Sequence, residues 1–294
     1  IRSEIVPKKV ANKLPPPRDY KGGYMGYSFP KLKELVRPNE FSSSTRPLKI
    51  LLNDAVWLYD TAMTILKKMY GEATANQHPI TATILFGKSE LYKVRRDKEN
   101  SKILLDQALA MRRSVLKSDH PDIADLLHVL AENYRQENQF IKALPLYQRA
   151  LDIRKSAFTT GKAAHPAIAE SLNSIGLLYY AQGNYIDAEH LLKEALTMRE
   201  TVYGTNSPIH PSLAQSLNNL GSVLHAKGYL KESEAYYRKS LEIKIDCFGN
   251  NHPDVALAMN NLALLLKDMN ITIEARQLFE EALKIQRNHF VVDH

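Results

Sequence analysis

The chemistry-bearing residues of this chain fall into a few sets, and spacing disposes of most of them. Gly87-Lys88-Ser89 has the ending of a phosphate-binding loop. That motif needs a glycine five residues before Gly87, where Ala82 stands, and a strand leading into it. Five histidines, His78, His120, His165, His210 and His252, each precede a proline. A zinc ion would need several of them within about 2 Å of its centre. Stacked repeats place equivalent side chains about 10 Å apart, so these five do not converge. Cys247 is the single cysteine, which excludes an internal disulfide framework and a multi-cysteine zinc site; a buried, inert thiol is expected. No Ser/His/Asp arrangement or carboxylate pair stands out, so no catalytic residue, metal or cofactor is expected. Asn270-Ile271-Thr272 matches a glycosylation sequon and is read as chance.

One set survives. Asn173, Asn218 and Asn260 recur at one helical position, with Asn219 and Asn261 beside two of them and His128 in the same place one repeat earlier. Seven residues further on come Arg135, Tyr180, His225 and Lys267, two helical turns along the same face. An asparagine amide donates and accepts at once, so it can grip an extended backbone. Arg and Lys beside it favour carboxylates. The same amides could instead bond to adjacent helices and order a stack, and one amide per repeat suits either use.

The elements that carry this set are helices. In residues 210–247 the apolar positions Leu213, Leu217, Leu220 and Leu224 mark one face, and Tyr237, Leu241 and Ile245 another. Gly228 stops the run between them, predicting two helices and a tight turn. Neither helix can bury its face alone. The His-Pro pairs recur at spacings of 42, 45, 45 and 42 residues, an internal repeat of supersecondary units. Each proline suits the first position of a helix, where its missing N–H costs nothing. Alignment on the pairs brings Ala131, Gly176, Gly221 and Ala263 together as the small residues at which paired helices cross. Lys88 and Ser89 break that pattern, so the repeat at 79–120 is expected to be degenerate. A solitary capping helix at 47–70 and repeats at about 79–120, 121–165, 166–210, 211–252 and 253–294 make eleven helices in all.

Residues 1–46 read differently. Pro7, Pro15, Pro16, Pro17, Pro30 and Pro38 interrupt any long helix, leaving at most a turn at 31–36. Ten Lys/Arg against four Asp/Glu place +6 of the net charge of +7 in this segment. Lys8, Lys9 and Arg18 are interleaved with Tyr20, Tyr24, Tyr27 and Phe29, an extended arm suited to an acidic protein surface. A nearly neutral body offers no basic stripe to continue a nucleic-acid path, which favours protein over RNA. No apolar run reaches the ~18 residues of a membrane span. The chain does not begin with methionine, so a fragment or a processed form is expected.

The repeats resemble the tetratricopeptide repeat, in its longer-period form found in kinesin light chain and nephrocystin. The likeness rests on Ser-Leu-Asn-Asn-Leu-Gly at 216–221, Glu-Glu-Ala-Leu-Lys-Ile at 280–285 and Phe-Gly-Asn-Asn-His-Pro-Asp-Val at 248–255, and it covers roughly residues 47–294. It implies an all-α, right-handed solenoid of antiparallel helix pairs whose first helices line a concave face. It also implies that the matching positions hold peptides. The expected function is a non-enzymatic scaffold or adaptor that binds an extended, acidic segment of another protein. The alternative is an architectural subunit of a large cytoskeletal, ciliary or organellar assembly. The expected setting is the cytoplasm, with import into an organelle left open by the missing natural N-terminus.

Overall fold

The computed structural model describes residues 48–76, 78–116, 118–158, 164–204 and 210–290. Among them it has no strand and twelve helices: α1 (Leu48–Tyr70), α2 (Glu72–Ala75), α3 (Pro79–Val94), α4 (Lys98–Val115), α5 (Pro121–Gln136), α6 (Phe140–Phe158), α7 (Pro166–Ala181), α8 (Tyr185–Tyr203), α9 (Pro211–Ala226), α10 (Leu230–Phe248), α11 (Pro253–Asp268) and α12 (Thr272–Phe290). The twelfth, beyond the eleven read from the periodicity, is the single turn α2 between α1 and α3. The expected arm at 1–46 and its helical turn at 31–36 lie outside the described residues.

From α3 onward the helices form five pairs. Each first helix packs on its own second helix, each second helix packs on the next first helix, and α5, α7, α9 and α11 touch in series. This is an all-α solenoid. Its period is set by the His-Pro pairs, which do more than admit a proline. In all five, the His Nδ1 accepts the N–H two residues on, at 3.1–3.2 Å, and so caps the helix that its proline opens. That leaves the other ring nitrogen to carry the proton. Four of the rings also stack on an aromatic at the C-terminal end of an earlier helix. His165 lies 3.7 Å from Phe158, His210 3.7 Å from Tyr203, His252 4.5 Å from Phe248 and His78 5.0 Å from Tyr70. One histidine thus ends the connection and starts the helix. The turn inside each pair needs a left-handed residue, supplied by Gly228 (φ 83°) and, where glycine is absent, by Asn138 (φ 57°) and Asn270 (φ 63°).

Close helix crossing rests on the small residues. A Cβ on Gly176 would lie 2.8 Å from Leu192, and one on Gly221 3.0 Å from the Tyr237 ring. Ala131 and Ala263 are fully buried at the same place. So is Ser89, which corrects the expectation that the first repeat is degenerate. There the small residue is present, and Lys88, where the other repeats are apolar, extends to Asp60 of α1 at 2.6 Å. Gly87 is explained by the same contact region, because a Cβ on it would run into the Tyr59 phenol. Its glycine serves packing against α1. Serine replaces alanine at three such places in the second helices: Ser233 donates to the Gly221 carbonyl and Ser240 to that of Ala214, both at 2.7 Å, whereas the buried Ser101 hydroxyl of α4, at the place of Ser233, has no partner among the described residues. The polar substitutions in α10 therefore leave no orphaned hydroxyl, while the one in α4 does.

Candidate functional site

The first helices, which touch in series, carry a ladder of side chains between repeats. Asn219 of α9 donates its amide to the Asn173 oxygen of α7 at 2.9 Å, and Asn261 of α11 donates to Asn218 of α9 at 2.8 Å. One repeat earlier the same rung is Ser174 with His128 Nε2, at 3.4 Å. The residue eight past each proline thus meets the residue seven past the previous one. Asn173 is 3 % exposed and Asn219 9 %, so this rung is buried and serves the stack. The next rung is half-buried, and each partner uses only one end of its amide. The Asn218 nitrogen and the Asn261 oxygen make no hydrogen bond among the described residues. Asn260, half-buried on α11, has no side-chain hydrogen bond there either. The amides are therefore spent on neighbouring helices to different extents along the ladder.

The row seven residues on is partly neutralised. Arg135 donates twice to Glu132, at 2.9 and 2.6 Å, and Tyr147 donates to the same carboxylate at 2.6 Å. Burial pushes the Glu132 carboxyl up. The hydrogen bonds from Arg135 and Tyr147 and the Arg135 charge outweigh it and hold the group at about 2. His225 is matched by Asp268 of the neighbouring repeat at 2.8 Å. Tyr180 leans on Tyr185 at 5.7 Å, and its phenol is pushed up by burial. Lys267 is exposed at the mouth of a shallow apolar pocket lined by Ala275, Phe279 and Leu283 of α12. The face is therefore amide-rich along its length and openly cationic mainly at its α11 end. The arm residues Lys8, Lys9, Arg18, Tyr20, Tyr24, Tyr27 and Phe29 lie outside the described residues.

A second row went unread in the sequence. Arg112, Arg154, Arg199 and Lys244 occupy one position on α4, α6, α8 and α10. Each donates to the backbone oxygen of the second residue of the following first helix: Asp122, Ala167, Ser212 and Asp254, at 3.2, 3.1, 2.6 and 3.2 Å. Arg154 and Arg199 also bond to the serines Ser171 and Ser216 at 2.7 Å. The signal was present: one cation falls nine or twelve residues before each following His-Pro proline. A cation on an amphipathic helix ordinarily keeps its head in water, whereas Arg154 and Arg199 are buried.

His128 joins both rows. Its ring meets Arg154 at 3.4 Å and sits edge-on to Tyr147 at 5.3 Å. Burial lowers its pKa, and the Arg154 charge adds to that against the nearby Glu170, Glu132 and Asp125. Among the described residues no group of three or more His, Cys, Asp or Glu could hold a metal, and no helix is long and apolar enough to cross a membrane.

Capped helix pairs recurring every 42 or 45 residues, crossing on small residues and laddered along the first helices, define a helix-pair repeat protein. The tetratricopeptide repeat profile matches residues 80–156 and 212–288, and a second tetratricopeptide repeat profile matches 168–211. The chain belongs to the tetratricopeptide repeat family. No curated protein matches it in sequence. Among solved structures it is similar to BtubC (BKLC) from P. vanneervenii, with TM-score 0.63 and 17 % identity over 81 % of this chain and 92 % of that one. A kinesin light chain-like protein of Podosopora anserina, built of nearly identical TPR-like repeats, gives TM-score 0.56 and 23 % identity over 72 % and 98 %. The Rap conjugation gene regulator of plasmid pLS20, solved with the Phr* peptide, gives TM-score 0.58 and 18 % identity over 71 % and 54 %.

Proposed function

We propose that this chain is a non-enzymatic interaction scaffold that holds an extended segment of another protein against its first helices α7, α9 and α11. The observation that carries this reading is the half-used amide ladder. Asn218 on α9 and Asn260 and Asn261 on α11 keep amide ends that make no hydrogen bond among the described residues and could serve an extended backbone. Tyr180, His225 and Lys267 follow on the same face and supply contact and charge. The Rap regulator, a protein of the same fold solved with a peptide, lends the reading a precedent. The segment 1–46, with +6 of the net charge, adds a second contact to an acidic partner surface.

The architectural reading has one observation of its own. Ile141, Ile186 and Ile273 follow the first residues of α6, α8 and α12 and are 90, 76 and 78 % exposed. Such a row suits permanent burial in an assembly. Fluorescence anisotropy with a panel of labelled extended peptides separates the two. Asn218→Ala with Asn260→Ala should weaken binding roughly tenfold, at about 0.5–1.5 kcal/mol per amide contact. Unchanged affinity in a variant that melts normally would favour the architectural reading.

A further inference from the structure

The cation row contains one fully buried charge that forms no ion pair among the described residues. Arg112 pairs with Asp122 at 2.6 Å. Arg154 pairs with Asp125 at 2.8 Å and Glu170 at 3.4 Å, the acids four residues past the prolines of α5 and α7. Those carboxylates are 60 and 52 % exposed while the guanidinium they reach is 4 % exposed. The groove side of this joint is therefore open to a carboxylate even though the arginine is buried. Arg199 repeats the arrangement one joint further on, between α7, α8 and α9. Its own Glu170 is drawn to Arg154, and the residue four past the proline of α9 is Gln215, not an acid. Among the described residues Arg199 has no ion pair; it bonds only to the Ser212 carbonyl and the Ser216 hydroxyl. Gln215 is exposed and makes no hydrogen bond there. Lys244, in the fourth joint, also lacks a carboxylate, but it is only half-buried and keeps solvent.

Arg199 is 4 % exposed and forms no ion pair among the described residues, which is costly, while Gln215, at the place that Glu170 takes beside Arg154, is exposed. We propose that Arg199 is a carboxylate subsite of the groove: a Glu or Asp side chain of the bound segment takes, beside Gln215, the place that Asp125 and Glu170 take at Arg154. The burial that makes the site also lowers the Arg199 pKa, against the attraction of Glu170 and Tyr203. The inference rests on the peptide-groove reading and deepens it, because it names the charge that the segment brings and where it sits. Arg135 is already paired with Glu132 and His225 with Asp268, so both add less selectivity.

The test uses the full chain, fluorescein-labelled extended peptides of Ala, Ser and Leu carrying one Glu, and the same peptides with Gln in its place. The wild type should bind the Glu peptides roughly tenfold more tightly than their Gln counterparts, as for a charge-assisted hydrogen bond. Gln215→Glu supplies the missing carboxylate from within. It should raise the melting midpoint by ~2–4 °C and abolish the discrimination between the peptides. Arg199→Gln should abolish it too. Should that variant fail to fold, Gln215→Glu decides alone. A lowered midpoint in Gln215→Glu, or discrimination that survives it, overturns the assignment of Arg199 and leaves the groove reading standing. A wild type that binds Glu and Gln peptides equally does the same. A wild type that binds no peptide overturns both.

Discussion

The buried rung between Asn173 and Asn219 allows the stack to be tested bond by bond. The amide of Asn219 donates to Asn173 at 2.9 Å in a site where the two residues are 9 and 3 % exposed. Asn219→Ala leaves the Asn173 oxygen buried without its donor, and Asn173→Ala strands the Asn219 amide. Each should cost about 1–3 kcal/mol, the desolvation of an unmade hydrogen bond. The double variant strands neither group, so its cost should fall below the sum of the single costs by ~1 kcal/mol. Each variant also leaves a small void, but the void terms cancel in the cycle to first order. At roughly 2–4 °C per kcal/mol, the single variants should melt several degrees below the wild type. Urea unfolding followed by far-ultraviolet circular dichroism gives the four free energies. Costs that add within ~0.3–0.5 kcal/mol would show that the rung contributes nothing and that the ladder does not couple repeats.

Gly221→Leu should destabilise by ~1–3 kcal/mol or more, because even a Cβ would sit 3.0 Å from the Tyr237 ring; an unchanged melting midpoint would contradict the crossing assigned here. The His-Pro caps predict a pH dependence. Burial lowers the pKa of His78, and burial together with the Arg154 charge lowers that of His165, so the unfolded chain takes up protons first as pH falls below about 6.5. Their contribution is complete above that value and is lost as pH falls below it toward the folded-state pKa. Melts between about pH 7.5 and 5 should show the decline, and His165→Asn, which keeps a capping acceptor without a titrating ring, should flatten it. Removal of residues 1–46 should leave the remainder folded, as judged by its melt, since every periodic apolar position lies beyond them. It should weaken binding to an acidic partner and flatten the salt dependence of that binding.

The sequence made the helices legible because a His-Pro pair recurs every 42 or 45 residues, and the small crossing residues then fall at one distance from each proline. Its one error in the repeats came from Lys88, whose charge hides a normal crossing at Ser89; the partner that explains it, Asp60, lies 28 residues earlier. The site was half legible. That one amide recurs on the first helices can be read along the chain. Whether it is spent on a neighbour depends on partners 46 and 43 residues away, whose distance only the packed structure sets. Arg199 was missed for a different reason. On an amphipathic helix a cation reads as solvated, and what marks this one is the acid its neighbours have and it lacks.

The proposal that partners bind along the first helices is tested most directly by photo-crosslinking. A benzophenone amino acid is placed at Gln215 or Tyr180 on that face, or at Lys239 or Glu242, which are exposed on α10. Each protein is irradiated with the tightest peptide of the panel, and the adducts are read by mass spectrometry. The account predicts adducts from Gln215 and Tyr180 and none above background from Lys239 and Glu242. Adducts from α10 with none from Gln215 and Tyr180 would contradict it.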